Sequence, residues 1–358
     1  MVQHLRTAFG LIFSGLIAYA GAIVFEAIGF PLPWMLGPLF VFAVFAFFRL
    51  KPLGLTPGFP AKSRMIFIPV VGVMIGARVT PEIFAEVARW WPSLLLVLPY
   101  MIVVQFLNAA ILRHVGGYDE PTAFFAASPG GMVEAVLIGE ANGGDGPLMA
   151  IQHFARVTLA VSAIPVLLSF ELGAPVGSAA GVTGAEHAGA LGVMDAGLLL
   201  LAGVIGAVVA VRLRIPAGIM VGPLLLSGAL HASGLTDAQI PELLLQIAQL
   251  VIGVTLGARF AGPSKTQLLR GLGLSVLTLS CTLVLALLSA LLVSQLGFAD
   301  TMVSFIAFAP GGLVEMGLIA ISLDADPIFV ATHHVFRIAL AVTVAPLLFR
   351  LVYPDRAS

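Results

Sequence analysis

The sequence predicts an all-α polytopic membrane protein made of two homologous repeats, and three observations support this. Of the 358 residues, 59% are hydrophobic and only 10% are charged, which is too little charge to cover the surface of a soluble domain. Apolar blocks of about 15–28 residues follow one another along the chain, as membrane-spanning helices do. The third observation is a set of motifs that occurs twice.

The repeated motifs come in the same order in both halves, at an offset of 181 to 185 positions. The matched blocks are Pro31, Met35 and Gly37–Leu39 with Pro216, Met220 and Gly222–Leu224; Gly72–Arg78 with Gly253–Arg259; Pro129–Glu134 with Pro310–Glu315; and Asp145, His153, Arg156 and Pro165 with Asp326, His334, Arg337 and Pro346. Four ordered blocks indicate an internal duplication. We predict membrane repeat 1 at residues 1–170, a Gly/Ala-rich linker at 171–193 and membrane repeat 2 at 194–358.

Each half contains six apolar segments, of which the fifth decides the topology. If the fifth segment crosses the membrane, the loop lysines and arginines divide into 8 inside and 7 outside. If it dips in and returns, the second half is inverted, and 13 lie inside with only Arg78 and Arg89 outside. The positive-inside rule favours inversion, with about five transmembrane helices per repeat plus a re-entrant or broken segment. We therefore expect a multi-pass protein of the inner membrane with both termini cytoplasmic.

The fifth segment of each half carries the motif Pro-Gly-Gly-x-Val-Glu. Proline removes a helical donor and glycine permits unusual backbone angles, so the break leaves peptide groups free at membrane depth. Such backbone is tolerated only where it is buried in protein or lines a wet cavity, although a simple packing kink remains the alternative. The predicted substrate-binding residues of the motifs are Pro129, Gly130, Gly131 and Glu134 with Pro310, Gly311, Gly312 and Glu315.

Charged side chains inside apolar segments are costly and indicate function by default. Glu134 and Glu315 follow the breaks, and Arg156 and Arg337 lie within the last apolar segment of each half. We expect the pairs Glu134–Arg156 and Glu315–Arg337, with both arginines binding substrate. A purely structural ion pair is the alternative. An arginine that faces a cavity would hold a carboxylate or phosphate through two hydrogen bonds.

Three histidines share these segments and are predicted to couple proton movement, because imidazole titrates near neutral pH. They are His153, His333 and His334. The alternative is a hydrogen bond from imidazole to a carbonyl opened by the break. No metal site is expected, because neither half supplies three ligands at a fixed spacing. Asp145 and Asp326 are expected to cap helices.

The Pro-Gly-Gly-x-Val-Glu motif, the Gly-Ala-Arg block and the His-x-x-Arg helix, each present twice, resemble the duplicated AbrB-type membrane proteins of bacteria over the whole chain. The resemblance implies the family's labels, ammonia monooxygenase and regulator of gene expression. A monooxygenase needs a metal or organic redox cofactor, and no ligand set is visible, so we expect neither cofactor nor enzyme activity. With a net charge of −1 and no basic run, nucleic acid is not an expected partner.

These features favour a secondary transporter of a small anionic metabolite, coupled to protons through the histidines or glutamates. A non-transporting membrane scaffold or sensor, with an indirect effect on gene expression, is the first alternative. A metal-dependent membrane oxidase is the second. The expected partners are the lipid bilayer and the small-molecule substrate, and the sequence leaves a homo-oligomer open.

Overall fold

A computed structural model describes residues 2–173 and 191–354. The regular structure in these two ranges is helical, and seven of their helices are long and apolar enough to cross a membrane. Those spans are Phe9–Ala27, Trp91–His114, Gly146–Glu171, Val193–Arg212, Glu242–Ala261, Lys265–Gln295 and Pro327–Val352. The predicted all-helical, multi-pass architecture is therefore confirmed at this level. Most of the predicted linker, residues 174–190, lies outside the described residues.

The helices follow the same order in both halves, apart from the short α4, which the apolar pattern did not predict. The first half contains α1 (Val2–Ala27), α2 (Pro33–Phe48), α3 (Ala61–Gly76), α4 (Ile83–Val87), α5 (Trp91–His114), α6 (Glu120–Ala127), α7 (Met132–Ala141) and α8 (Gly146–Leu172). The second half contains α9 (Val193–Arg212), α10 (Gly218–Ala232), α11 (Glu242–Gly257), α12 (Lys265–Gln295), α13 (Thr301–Phe308), α14 (Leu313–Ser322) and α15 (Pro327–Val352).

The fifth segment of each half is two short helices rather than one. Helices α6 and α13 have 8 residues each, and α7 and α14 have 10 each. Such helices are about 12 Å and 15 Å long, too short to cross a hydrocarbon core of about 30 Å. The break falls at the Pro-Gly-Gly motif, as predicted. Whether the segment returns or crosses, and whether the repeats are inverted, stay predictions.

The chain divides into two compact units, and each unit takes segments from both halves of the sequence. The first compact unit contains Met1–Pro81, Ser162–Gly262 and Gly317–Ile328. The second contains Glu82–Val161, Pro263–Met316 and Phe329–Ser358. The predicted repeat boundaries describe sequence similarity and are not tested by this division. Both Pro-Gly-Gly breaks belong to the second compact unit.

Glycines bring the helices of the first compact unit together in reciprocal pairs, α3 with α10 and α11 with α2. A Cβ added at Gly72 would collide with the carbonyl oxygen of Met220, and one added at Gly253 with that of Met35. The same contacts recur one turn later between Gly76 and Leu224 and between Gly257 and Leu39. The spacing Gly-x-x-x-Gly in both matched blocks is typical of faces that allow such close helix packing.

Aspartates cap the last long helix of each half. The Asp145 carboxylate accepts a hydrogen bond from the N–H of Leu148 at 2.9 Å at the start of α8. The Asp326 carboxylate accepts one from the N–H of Ile328 at 2.9 Å at the start of α15. Each cap satisfies a donor that the helix itself leaves unpaired. The capping prediction is confirmed, and the start of each His-x-x-Arg helix is fixed.

Protein side chains surround the first short helix in the second compact unit. The ring centroid of Phe124 on α6 lies 5.3 Å from that of Phe349 on α15. The Gln105 amide on α5 donates to the carbonyl of Phe124 at 2.6 Å. The end of α6 is thereby placed among protein groups, one of the two surroundings in which a membrane tolerates irregular backbone.

The glycine contacts predict a large loss of stability when a side chain is added. Gly72→Leu or Gly253→Leu should destabilise the protein by at least about 1–3 kcal/mol, because the added atoms meet backbone that cannot move aside. The measurement is the midpoint of thermal unfolding in detergent. Gly197→Leu on α9 is the matched control, since its Cβ position has no neighbour within 4 Å. Equal midpoints for Gly253→Leu and the control would contradict this packing.

Candidate functional site

The site begins with the ends of the first short helices, where carbonyl groups lose their helical donors. Helix α6 ends at Ala127 and α13 at Phe308. The next residues, Ser128 and Ala309, are not helical, with ψ values of 124° and 143°. The last carbonyls of a helix need donors from elsewhere. At membrane depth water does not supply them, so the protein must.

Arg156 on α8 supplies donors to the end of α6. Its Nη1 donates to the carbonyl of Ala127 at 3.3 Å, and its Nη2 donates to that of Ser128 at 2.7 Å. The side chain is buried, with 7% of the residue exposed. A guanidinium is suited to this role because its N–H groups lie in one plane and point in different directions, so they can reach neighbouring carbonyls. Arg156 therefore acts as a cap for the broken helix.

Arg337 on α15 does the same at the end of α13. Its Nη1 donates to the carbonyls of Phe308 and Ala309, at 3.4 and 2.7 Å, and its Nη2 donates to that of Gly311 at 3.0 Å. Only 2% of the residue is exposed. The two halves thus place one buried arginine at equivalent carbonyls.

A histidine orients each arginine. Nη2 of Arg156 donates to Nδ1 of His153 at 3.1 Å, and Nε2 of His153 donates to the carbonyl of Phe125 at 3.0 Å. A guanidinium offers donors only, so Nδ1 must accept and the proton must sit on Nε2. The second half repeats the arrangement, with distances of 2.8 Å from Arg337 to His334 and 3.1 Å from His334 to the carbonyl of Ile306. These contacts match the carbonyl-bonded alternative; proton coupling by His153 and His334 stays a prediction.

His333 has different surroundings that suit two charge states. Its Nδ1 donates to the carbonyl of Phe329 at 2.8 Å, and its Nε2 lies 2.9 Å from Oγ of Ser93. That Oγ also lies 2.8 Å from the carbonyl oxygen of Trp90. In neutral His333, the Ser93 hydroxyl donates a hydrogen bond to Nε2. In protonated His333, Nε2 donates to Ser93 and the serine donates to Trp90, so both states are satisfied.

Gln152 occupies the position equivalent to His333 in the first half. Its amide nitrogen donates to the Tyr118 hydroxyl at 3.0 Å, and its amide oxygen accepts from Oγ of Ser275 at 2.7 Å. The first half therefore satisfies this buried position without a titratable group. The difference makes His333 the one predicted proton-coupling residue with no histidine counterpart in the other half.

The two glutamates lie in the first turns of α7 and α14 and differ in exposure. Glu134 is exposed, whereas Glu315 is fully buried. Both carboxylates fold back toward the glycine before their helix: a Cβ at Gly131 would lie 3.4 Å from Oε2 of Glu134, and one at Gly312 would collide with Glu315. Negative charge at a helix N-terminus is favourable.

The two arginines have partners other than the glutamates with which ion pairs were expected. Within the described residues, the hydrogen bonds of Arg156 and Arg337 go to main-chain carbonyls and to histidines. The pairs Glu134–Arg156 and Glu315–Arg337 are not among these bonds. The physical reason is that the carbonyls opened by the breaks compete for the same donors.

The first break lies against the arginine-bearing helix of the other half. A Cβ at Gly130 would lie 3.3 Å from Cβ of Ala341 and 3.5 Å from the carbonyl oxygen of Arg337, both on α15. Gly131 has a φ of 61°, the left-handed region that suits glycine. The first motif thus favours glycine at position 131 for the backbone angle, and at position 130 a larger side chain would have to push Ala341 aside by a small amount.

Tyr100 on α5 shares a carbonyl acceptor with Arg337. Its hydroxyl donates to the carbonyl of Phe308 at 2.7 Å, where Nη1 of Arg337 also donates. It is close enough to interact electrostatically with both Arg337 and Arg156. The sequence analysis did not single out Tyr100, because nothing local links it to a carbonyl 208 positions away.

Two small cavities adjoin the first break in the part of the chain that the structure describes. One of about 20 Å³ is lined by Pro129 together with residues of α5 and α15. Another of about 10 Å³ is lined by Ser128, Gly131 and Glu134 with residues of α15. Each has room for about one water molecule. Among the described residues, no group of three or more His, Cys, Asp or Glu side chains is placed to hold a metal ion.

Comparison with known proteins gives one family and two relatives. The family model described as "Transition state regulatory protein AbrB" matches residues 34–353. The chain is 26% identical over 357 residues to "Uncharacterized protein YhjN" of Bacillus subtilis (strain 168), covering 94% of this chain and 91% of that protein. It is 25% identical over 333 residues to "Putative regulator AbrB" of Escherichia coli (strain K12), covering 92% of this chain and 93% of that protein.

The capping role predicts a large cost for removing Arg337. Arg337→Ala should destabilise the protein by about 3 kcal/mol or more, because several buried carbonyls and His334 lose their donor. Arg337→Lys should recover only part of this, since an ammonium lacks the planar fork. Unfolding in mixed micelles measures both, with the exposed Arg350→Ala as control. An Arg337→Ala variant as stable as that control would contradict the cap.

Proposed function

The chain belongs to the AbrB family, and on that premise we propose that it is a secondary transporter of a small anionic metabolite, with its site at the two Pro-Gly-Gly breaks. The observation that carries the proposal is the pair of buried arginines, Arg156 and Arg337, at the broken helices of one compact unit. Two cations out of water attract an anion strongly, because the low local dielectric weakens screening.

The backbone of the breaks adds to this attraction. Helices α7 and α14 begin directly after the glycines, at Met132 and Leu313. The N-terminus of a helix carries a partial positive charge and directs N–H groups outward, so it favours an anionic ligand. Discontinuous helices that meet near mid-membrane are the usual place for a transporter's substrate. The prolines and glycines of both motifs would thus contribute through main-chain groups.

The two arginines differ in the number of hydrogen bonds that they make, and we assign them different roles. A guanidinium has five N–H groups. Within the described residues Arg337 makes four hydrogen bonds, whereas Arg156 makes three. Two N–H groups of Arg156 take no part in these bonds, one on Nε and one on Nη1, and either can donate a hydrogen bond to a carboxylate or phosphate. We assign Arg156 to direct substrate contact and Arg337 to positioning the second break.

Proton coupling is assigned to His333, with His153 and His334 holding the arginines in place. The contacts of His333 accommodate either charge state, so the imidazole can gain or lose a proton without leaving a buried group unpaired. Glu134, which is exposed, gives a further carboxylate beside the first break. No enzyme activity, cofactor or nucleic-acid partner is part of this proposal.

Inverted repeats would provide alternating access to the site. The distribution of 13 loop cations against 2 supports opposite orientations of the halves, and the proposal includes cytoplasmic termini in the inner membrane. Two breaks that enter from opposite faces can be exposed in turn by rocking one part of the protein against another.

A membrane sensor is the second candidate function. The four hydrogen bonds of Arg337 favour a fixed arrangement of the second break over a moving one. One relative carries the name of a regulator. A sensor of this kind would bind the same anion at Arg156 without moving it, and would act on gene expression indirectly.

Transport is tested with purified protein in liposomes, using acetate, lactate, succinate, citrate and inorganic phosphate as radiolabelled probes. We expect uptake of at least one, reduced about tenfold or more in Arg156→Lys, because an ammonium cannot replace the divergent donors of a guanidinium that bonds the carbonyls and the anion together. Arg350→Ala is the matched control. Uptake unchanged in a folded Arg156→Lys would contradict the site. Saturable binding of a probe without any uptake would favour the sensor.

His333→Gln tests the proton assignment, since Gln152 shows that glutamine fits the equivalent position. We expect the variant to keep anion binding but to lose the proton influx that accompanies uptake, followed with a pH-sensitive dye inside the liposomes. His334→Gln should instead lower the unfolding midpoint, because Arg337 loses its acceptor. Proton influx that persists in His333→Gln would contradict the assignment.

A further inference from the structure

The first compact unit contains a cavity of about 880 Å³ that the proposed function does not use. Its walls are the start of α1, the end of α2 and the connection from α2 to α3. Gly10 and Leu11 line it from α1, Phe45 from α2, and Arg49, Lys51 and Phe59 from the connection. Its volume lies within the range of about 300–1,000 Å³ that is usual for ligand sites.

The cavity lies at the level where the apolar helices begin. The apolar span of α1 starts at Phe9, one residue before Gly10, and α2 ends at Phe48, one residue before Arg49. Membrane–water boundaries occur at such points. The walls are therefore apolar on the membrane side, where Leu11, Phe45 and Phe59 lie, and cationic next to water.

The charge around the cavity is of one sign. The segment 49–64 contains four basic residues and no acidic residue. Within the ranges the structure describes, Arg49 and Lys51 form no ion pair with a carboxylate. A basic, partly apolar recess between membrane helices complements an anionic lipid headgroup and its acyl chain. A soluble anion has no acyl chain and would need only the basic residues, so it would leave the apolar walls without a partner.

The connection is held in one conformation. Arg49 and Leu53 have φ values of 54° and 55°, a left-handed region that non-glycine residues seldom adopt. The N–H of Gly58 donates to Oγ of Ser14 on α1 at 3.0 Å, which ties the connection to the helix across the cavity. The basic residues are thus presented on a fixed turn.

We propose that this cavity binds an anionic phospholipid. Arg49 and Lys51 bind the phosphate, and Leu11, Phe45 and Phe59 contact the acyl chain. The lipid occupies the leaflet at the N-terminal end of α1, the side that carries most of the loop cations. This site is independent of the anion site at the Pro-Gly-Gly breaks, and its test does not depend on transport.

The experiment measures the unfolding midpoint of the full-length protein in detergent with added phosphatidylglycerol. We expect a saturable rise for the wild type, and an apparent affinity about tenfold or more lower for Arg49→Gly/Lys51→Ala. Glycine suits the left-handed angle at position 49, so this variant should be at least as stable as the wild type without lipid. Arg212→Ala/Arg350→Ala removes the same charge from exposed helix ends and should respond like the wild type.

Three outcomes would overturn the proposal. The first is an equal response of Arg49→Gly/Lys51→Ala and the wild type to phosphatidylglycerol. The second is an equal response of the wild type to phosphatidylcholine, which has no net charge. The third is an equal rise with inorganic phosphate at the same concentration, which would identify a soluble-anion site.

Discussion

The hydrogen bonds from Arg156 and Arg337 to the carbonyls at the ends of α6 and α13 are the interaction on which the rest of the site depends. A helix that stops at membrane depth leaves carbonyls that lipid cannot satisfy, at a cost of several kcal/mol each. A guanidinium satisfies two or three of them at once. In doing so it also places a positive charge out of water, so the residue that stabilises the break is the one to which the proposed function assigns the anion.

This constraint explains why the motifs contain more than a proline and two glycines. The arginine needs an acceptor on its other side, and Nδ1 of His153 or His334 provides it. The histidine in turn needs an acceptor for Nε2, and a carbonyl of the same short helix provides that. The His-x-x-Arg pair on one helix face and the Pro-Gly-Gly break are therefore parts of one hydrogen-bonded unit, which accounts for their joint repetition.

The halves have diverged around this shared unit. Tyr100 adds a donor at the carbonyl of Phe308, and His333 stands where the first half has Gln152. Glu315 is buried while Glu134 is exposed. Arg337 makes four hydrogen bonds and Arg156 three, so the second arginine is the more extensively bonded of the two.

The sequence predicted the features that depend on local pattern and missed those that depend on three-dimensional packing. The helix order, the break at Pro-Gly-Gly, the caps at Asp145 and Asp326 and the glycine faces follow from spacing of a few residues. The partners of Arg156 and Arg337 do not, because opposite charges nearby in sequence suggested glutamates while the fold offers open carbonyls.

Solid-state NMR with guanidino-¹⁵N arginine and carbonyl-¹³C alanine tests the hydrogen bonds from the arginines to these carbonyls directly. We predict rapid ¹⁵N–¹³C dephasing from Ala127 and Ala309, corresponding to about 4 Å, that disappears in Arg156→Lys/Arg337→Lys. Identical dephasing in the wild type and that variant would contradict the account.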